Sequence, residues 1–165
     1  MRRLALSALI GLVVIGCALE FVWKPKPLLV WNATASAPVG LYRRSFSNAE
    51  RAAWVLINPP DQARILAAQR GYLALNVPMV KRIAAILGDT VCRTKSIVTI
   101  NGVVRAIALS HDSKGRALPV WQGCERLNNN QIFVLTTPSA SFDGRYFGVV
   151  PRANIIERIE PLWTF

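Results

Sequence analysis

Histidine is almost absent from this chain, and acidic residues are scarce. One histidine, His111, and nine Asp and Glu stand against 20 Lys and Arg, for a formal net charge of +11. The three cysteines, Cys17, Cys92 and Cys124, are scattered. No His/Cys cluster therefore stands at zinc-ligand spacing, and no metal is expected. A Gly-rich phosphate loop is also missing, and no cofactor is expected. Asp61 and Asp89 read as a helix cap and a turn residue rather than as paired acids. No Lys/Arg block of five or more occurs, so the dispersed cations describe a basic surface drawn to anionic partners such as lipid headgroups, and no nucleic-acid groove. A Ser/His/Asp triad would have to centre on His111. That residue lies in the polar run Ser110-His111-Asp112-Ser113-Lys114-Gly115, where the adjacent Asp112 points away if the chain is extended.

What is present is apolar. With 165 residues and 52% hydrophobic content, the chain can build one cored domain plus an appendage. The appendage is Leu4 to Trp23, whose clearly polar members are Ser7 and Glu20; as a helix it covers about 30 Å, enough to span a bilayer. Arg2 and Arg3 favour a cytoplasmic start. The expected layout is a cytoplasmic tail at 1–3, a transmembrane signal anchor at 4–23, a stiff Lys-Pro-Lys-Pro linker at 24–27 and an exported domain at 28–165. Two other readings share the segment: a cleaved signal peptide, and a lipoprotein box at Val14-Ile15-Gly16-Cys17 with Cys17 lipidated. All three place the domain at or beyond a membrane.

The domain reads as short strands with turn signals between them. Leu28–Trp31, Leu41–Arg44, Ala53–Asn58, Met79–Leu87, Ile97–Ile100, Val103–Ala108, Gln131–Thr136, Tyr146–Val150 and Ile155–Ile159 are the expected strands. Asn101-Gly102 predicts a type I′ hairpin. Pro59-Pro60-Asp61 predicts a capped helix over Gln62–Arg70, closed by Gly71. The fold class is mostly β, antiparallel, with short helices.

Two stretches carry chemistry. Asn32 to Tyr42 sets Ser36 among small residues, Ala35, Ala37 and Gly40, which leave room for another backbone, while Pro38 biases Ala37 toward an extended conformation. Ser36 is expected on a bend, either as a presented nucleophile or as an ordinary turn residue. In Val77 to Asp89, period-two alternation puts Lys81 on one face with Met79, Ile83 and Ala85, and Arg82 on the other with Val80 and Ala84. An amine on an apolar face loses the ammonium form by desolvation, which makes it a usable base. The other reading is a stem packed on the sheet with its head snorkelling to water.

Cys92 and Cys124 flank the hairpin in a segment expected outside the cytoplasm, where a disulfide is plausible and two buried thiols are the alternative. Further on, Pro138 to Pro151 offers an Asp143–Arg145 ion pair across a turn at Gly144, with Ser141 one alternation away.

Three segments occur in order: Ser36-Ala37-Pro38 beyond an apolar span, Lys81-Arg82-Ile83-Ala84-Ala85 ending in Gly88-Asp89, and Ser141-Phe142-Asp143-Gly144-Arg145-Tyr146-Phe147-Gly148. Together they resemble the boxes of type I signal peptidases. Ser36 to Tyr42, Arg70-Gly71-Tyr72-Leu73 and Leu118-Pro119-Val120-Trp121-Gln122-Gly123-Cys124 are similar to the TraF branch, the conjugative-transfer peptidases that mature pilin precursors. The resemblance covers roughly residues 28 to 161. It departs from housekeeping enzymes at Ala37, where they have Met, and in lacking a Gly-Asp-Asn-Arg run before Ser139 and a second span.

The resemblance implies a signal-peptidase fold, related to LexA, and a Ser/Lys dyad with Ser36 as nucleophile and Lys81 as general base. It implies Ser141 as the residue orienting the lysine, Asp143 and Arg145 as structural support, and the Ser36 N–H and Thr34 hydroxyl as oxyanion donors. The implied partner is a pilin precursor or another exported preprotein. The implied location is the bacterial inner membrane with a periplasmic catalytic domain. The expected function is a membrane-anchored serine endopeptidase that cuts, or cyclises, a pilin-like precursor. Two alternatives are a catalytically idle bitopic scaffold of a conjugation or secretion apparatus, and a self-cleaving repressor-type protease, which would need a DNA-binding domain where the apolar span stands.

Overall fold

The computed structural model describes residues 28–165. The expected anchor at 4–23, the linker at 24–27 and Cys17 lie outside the described residues. Among those described, no helix is long and apolar enough to cross a membrane.

Among the described residues, eleven strands form two sheets in which every strand pairing is antiparallel. The first four are β1 (Leu29–Asn32), β2 (Gly40–Ser45), β3 (Trp54–Ile57) and β4 (Met79–Ala85). A hairpin ladder of β5 (Thr90–Thr94), β6 (Ile97–Ile100) and β7 (Val103–Ile107) follows. The chain ends with β8 (Gly123–Arg126), β9 (Gln131–Val134), β10 (Val150–Pro151) and β11 (Ile155–Thr164). The larger sheet has seven strands in the order β1-β2-β11-β3-β4-β9-β10, and the smaller has four in the order β7-β6-β5-β8. β11 thus separates the N-terminal hairpin from β3 and β4.

Alternation decides which residues face which core. On β4, Met79 and Ile83 pack with Val55, Ile57, Ile132, Val134, Phe142 and Tyr146. Val80, on the opposite face, packs with Ala37, Tyr42, Leu56 and Ile159. A third cluster of Val91, Val98, Ile100, Leu127 and Phe133 with Ala85 fastens the small sheet to the large one. Cys92 lies opposite Cys124 across β5 and β8, and the two are joined as a disulfide. For a separation of 32 residues, chain entropy alone makes such a crosslink worth roughly 3 to 4 kcal/mol.

Several expectations hold. Asn101 and Gly102 both have positive φ, 52° and 79°, as a type I′ turn demands, and Gly71 ends the first helix at φ 70°. Others are corrected. The helix α1 runs over Asp61–Gln69 with Pro60 at the N-cap, so Asp61 is not the cap; it lies in the first turn and pairs with Arg64 at 3.0 Å. The expected strand at Tyr146–Val150 is instead a short helix, α2 (Gly144–Phe147), followed by the two-residue β10. The apolar run there is buried nearly all round, so it has no solvent face to impose a period, and the Asp143 cap decides. β5 and β8 were not expected. β8 is exposed along its whole length and carries no alternation that could mark it as a strand.

Candidate active site

Ser36 sits in the loop that joins β1 to β2, a hairpin closed by the pair Asn32 and Gly40. Thr34 to Ala37 make the turn, with the Ala37 N–H donating to the Thr34 carbonyl at 3.5 Å. The loop is pinned from below: Ala37 is buried against Tyr42 and Leu56, and the Tyr42 hydroxyl donates to the Pro38 carbonyl at 2.8 Å. Gly40 (φ 146°) admits the Trp163 backbone, whose oxygen would lie 2.1 Å from any Cβ there. The room read from the small residues is used by β11.

Asn32 fills the middle of this loop. Its Nδ2 donates to the carbonyls of Thr34 (2.9 Å), Ala37 (3.1 Å) and Pro38 (3.0 Å). Its Oδ1 accepts from the Thr34 N–H at 3.2 Å and from the Thr34 hydroxyl at 2.9 Å. Ser36 Oγ lies 3.1 Å from Thr34 Oγ1.

Lys81 is where alternation puts it, on the Met79/Ile83 face of β4, and only 2% exposed. Burial pulls its amine down to about 8; Asp143 opposes that shift and Arg145 adds to it. This lysine does not snorkel. Its Nζ donates to Ser141 Oγ at 2.9 Å. Ser141 Oγ also lies 2.7 Å from Thr136 Oγ1, and Thr136 donates to Asp143 Oδ2 with its hydroxyl and its N–H, each at 3.1 Å, which leaves the Ser141 proton for the Thr136 oxygen. An amine is thus tied to a buried carboxylate through two hydroxyls.

Asp143 and Arg145 form the expected pair, with Nε to Oδ1 at 2.8 Å and Nη2 to Oδ2 at 3.1 Å, and both residues are buried. Arg145 also donates to the carbonyls of Ser139 and Thr136. Asp143 caps α2 by accepting from the Arg145 N–H. Each of the three nitrogens of this buried guanidinium group has a partner, which burial of a charge requires.

Thr34, Ser36, Lys81 and Ser141 line one cavity of about 660 Å³. Its walls are mainly apolar, from Val30 and Trp31 of β1 to Met79, Leu118 and Phe142. Ser36 and Lys81 share the cavity without bonding to each other: the serine is held by Thr34 and the lysine by Ser141. His111 is exposed, does not line this cavity and bonds Ser110 through Nδ1 at 3.0 Å. A triad centred on it is excluded. Asp112 instead braces its loop, accepting from the Tyr72 hydroxyl and from Arg116. Among the described residues no group of three or more His, Cys, Asp or Glu could hold a metal ion.

Two contributors escaped the sequence reading. Thr136 carries no motif signal and matters only through the fold. Asn32 had one signal, since Asn is a turn-forming residue ahead of a tight loop.

Comparison with known proteins finds relatives for this chain. Two Escherichia coli proteins named plasmid transfer protein TraF are similar at 37% and 36% identity over 145 residues, covering 81% of this chain and 82% of each relative. The conjugal transfer protein TraF of Agrobacterium fabrum is 30% identical over 144 residues, 81% of either chain. Among solved structures, a signal peptidase I from Enterococcus faecalis aligns with a TM-score of 0.40 at 21% identity, over 69% of this chain and 98% of that one. The model of the family described as signal peptidase, peptidase S26, matches residues 1–163, and this chain belongs to that family.

Proposed function

We propose that the chain is a membrane-anchored serine endopeptidase of conjugative transfer, with Ser36 as nucleophile and Lys81 as general base. The observation that carries this reading is the buried Lys81 amine, lowered to about 8, on the wall of the cavity that also holds Ser36. A lysine buried without a carboxylate in direct contact weakens the fold. A base that must be neutral near physiological pH explains why it is there.

The reaction follows from the groups. Neutral Lys81, with one N–H committed to Ser141, keeps its lone pair for the cavity. The Ser36 hydroxyl turns from Thr34 toward it, gives up its proton and attacks a peptide carbonyl. The Ser36 N–H and the Thr34 hydroxyl receive the oxyanion, each such donor being worth about 2.7 to 4 kcal/mol. Lys81 passes the proton to the leaving amine, and the acyl ester on Ser36 is released to water, or to an amine that makes a new amide. The shallow alanine-lined wall beside Ser36 suits small residues at the scissile bond. An anchor at 4–23 keeps the domain at the periplasmic face of the inner membrane; the names of the relatives support a role in plasmid or conjugal transfer, and a pilin-like precursor is the substrate this reading assigns.

The test is the mass of the mature pilin after co-expression of its precursor with wild type, Ser36→Ala and Lys81→Ala. Both variants leave the precursor intact if the dyad operates, and a product lighter by one water than the linear form marks cyclisation. Mature pilin from Ser36→Ala would leave a non-catalytic scaffold as the reading.

A further inference from the structure

The geometry points to Asn32 as a positioning residue for the nucleophile, acting through the Ser36 loop and the Thr34 hydroxyl. This rests on the serine peptidase reading above. Asn32 is 5% exposed and lies at the wall of the cavity that holds Ser36, yet its amide is turned into the loop and not toward the cavity's open space. All of its side-chain hydrogen bonds go to the segment from Thr34 to Pro38. Three carbonyls converge on Nδ2, which fixes the orientation of the amide: the reversed group would set an oxygen against three oxygens. With that orientation set, Oδ1 faces both donors of Thr34.

Two consequences follow for Ser36. The loop contains only small side chains and Pro38, so it has no packing of its own apart from Ala37 and depends on Asn32 for its shape. In addition, a Thr34 proton committed to Asn32 Oδ1 leaves a Thr34 lone pair facing the Ser36 hydroxyl at 3.1 Å. That is a resting arrangement. When Ser36 turns to the base, the Thr34 hydroxyl rotates its proton from Asn32 Oδ1 to the oxyanion, with Asn32 still holding the Thr34 backbone N–H. Asn32 therefore sets the position of the nucleophile and the resting direction of the neighbouring hydroxyl through its amide.

The experiment times cleavage of the precursor that wild type processes, using full-length Ser36→Ala, Asn32→Ala, Asn32→Asp, Thr34→Val and the Asn32→Ala/Thr34→Val double variant. Asn32→Asp keeps the volume and the acceptor but turns a second oxygen toward the three carbonyls. Misplacing a nucleophile by about 1 Å costs on the order of 100-fold. Both Asn32 variants are therefore expected to lose about 10- to 100-fold in kcat with KM within about twofold. The loss from Asn32→Ala should shrink on the Thr34→Val background, because the two residues act as one unit. A kcat within about twofold of wild type in both Asn32 variants, with Ser36→Ala inactive, overturns the role of Asn32 and leaves the peptidase reading standing. A loss of kcat that only tracks the unfolded fraction seen by circular dichroism overturns it too. Processing by Ser36→Ala defeats the underlying reading instead.

Discussion

Lys81 Nζ and Ser141 Oγ meet at 2.9 Å in a setting where both residues are at most 3% exposed. With so little of either residue open to solvent, the Ser141 hydroxyl sets where the amine points. Replacing it with alanine should lower kcat by roughly 10- to 100-fold, the equivalent of about 1 to 3 kcal/mol for a hydrogen bond to a buried amine. Ser139→Ala, two residues away and exposed, should leave the rate unchanged. Steady-state cleavage of the precursor by the two variants distinguishes a positioned lysine from a merely buried one.

The lowered amine makes both activity and stability depend on pH. The base must be neutral, so kcat/KM should rise as pH increases through about 8. Stability moves in the same direction. Below about pH 8 both folded and unfolded chains hold the Lys81 proton; between about 8 and the ordinary 10.5 only the unfolded chain does, so unfolding takes up a proton and stability climbs with pH. Lys81→Met should abolish cleavage, flatten that climb and raise stability at pH 7 by about 2 to 3 kcal/mol. Urea melts from pH 7 to 11 check each part.

At Gly144 the constraint is space. A Cβ there would lie 2.6 Å from the Val134 carbonyl oxygen and 2.7 Å from Phe133 Cε2. Gly144→Ala should cost about 1 to 3 kcal/mol through overpacking and reduce kcat, since the residue sits between Asp143 and Arg145. Gly102→Ala meets nothing within 4 Å but keeps φ at 79°, so it should cost roughly 1 to 2 kcal/mol with kcat intact. Denaturant midpoints and initial rates on the same preparations separate the two.

Much of this was legible in the sequence where a single strand or turn decides. Period-two alternation found the buried face of Lys81, and Asn101-Gly102 found its hairpin. The reading failed where partners distant in sequence take over. Tyr146 to Val150 looks like a strand because it is apolar throughout, yet Asp143 and the Trp121 indole, which donates to the Gly144 carbonyl at 3.0 Å, hold its beginning as a helix. Thr136 joins the site because β9 carries the chain past β4, and the link from Ser141 to Asp143 through its hydroxyl exists only in three dimensions. Asp61 missed the cap by one position because Pro60 already supplies the φ that starts the helix.

The place of β11 has a temporal meaning. Ser36 is delivered by the β1–β2 hairpin and Lys81 by β4, and the strand that stitches those two pieces together, Ile155–Thr164, comes after both of them in chain order. Until it inserts, nucleophile and base belong to separate fragments. On the peptidase reading proposed above, a chain that has not yet placed β11 holds Ser36 and Lys81 apart, and the ability to cut would arrive in a single closing step.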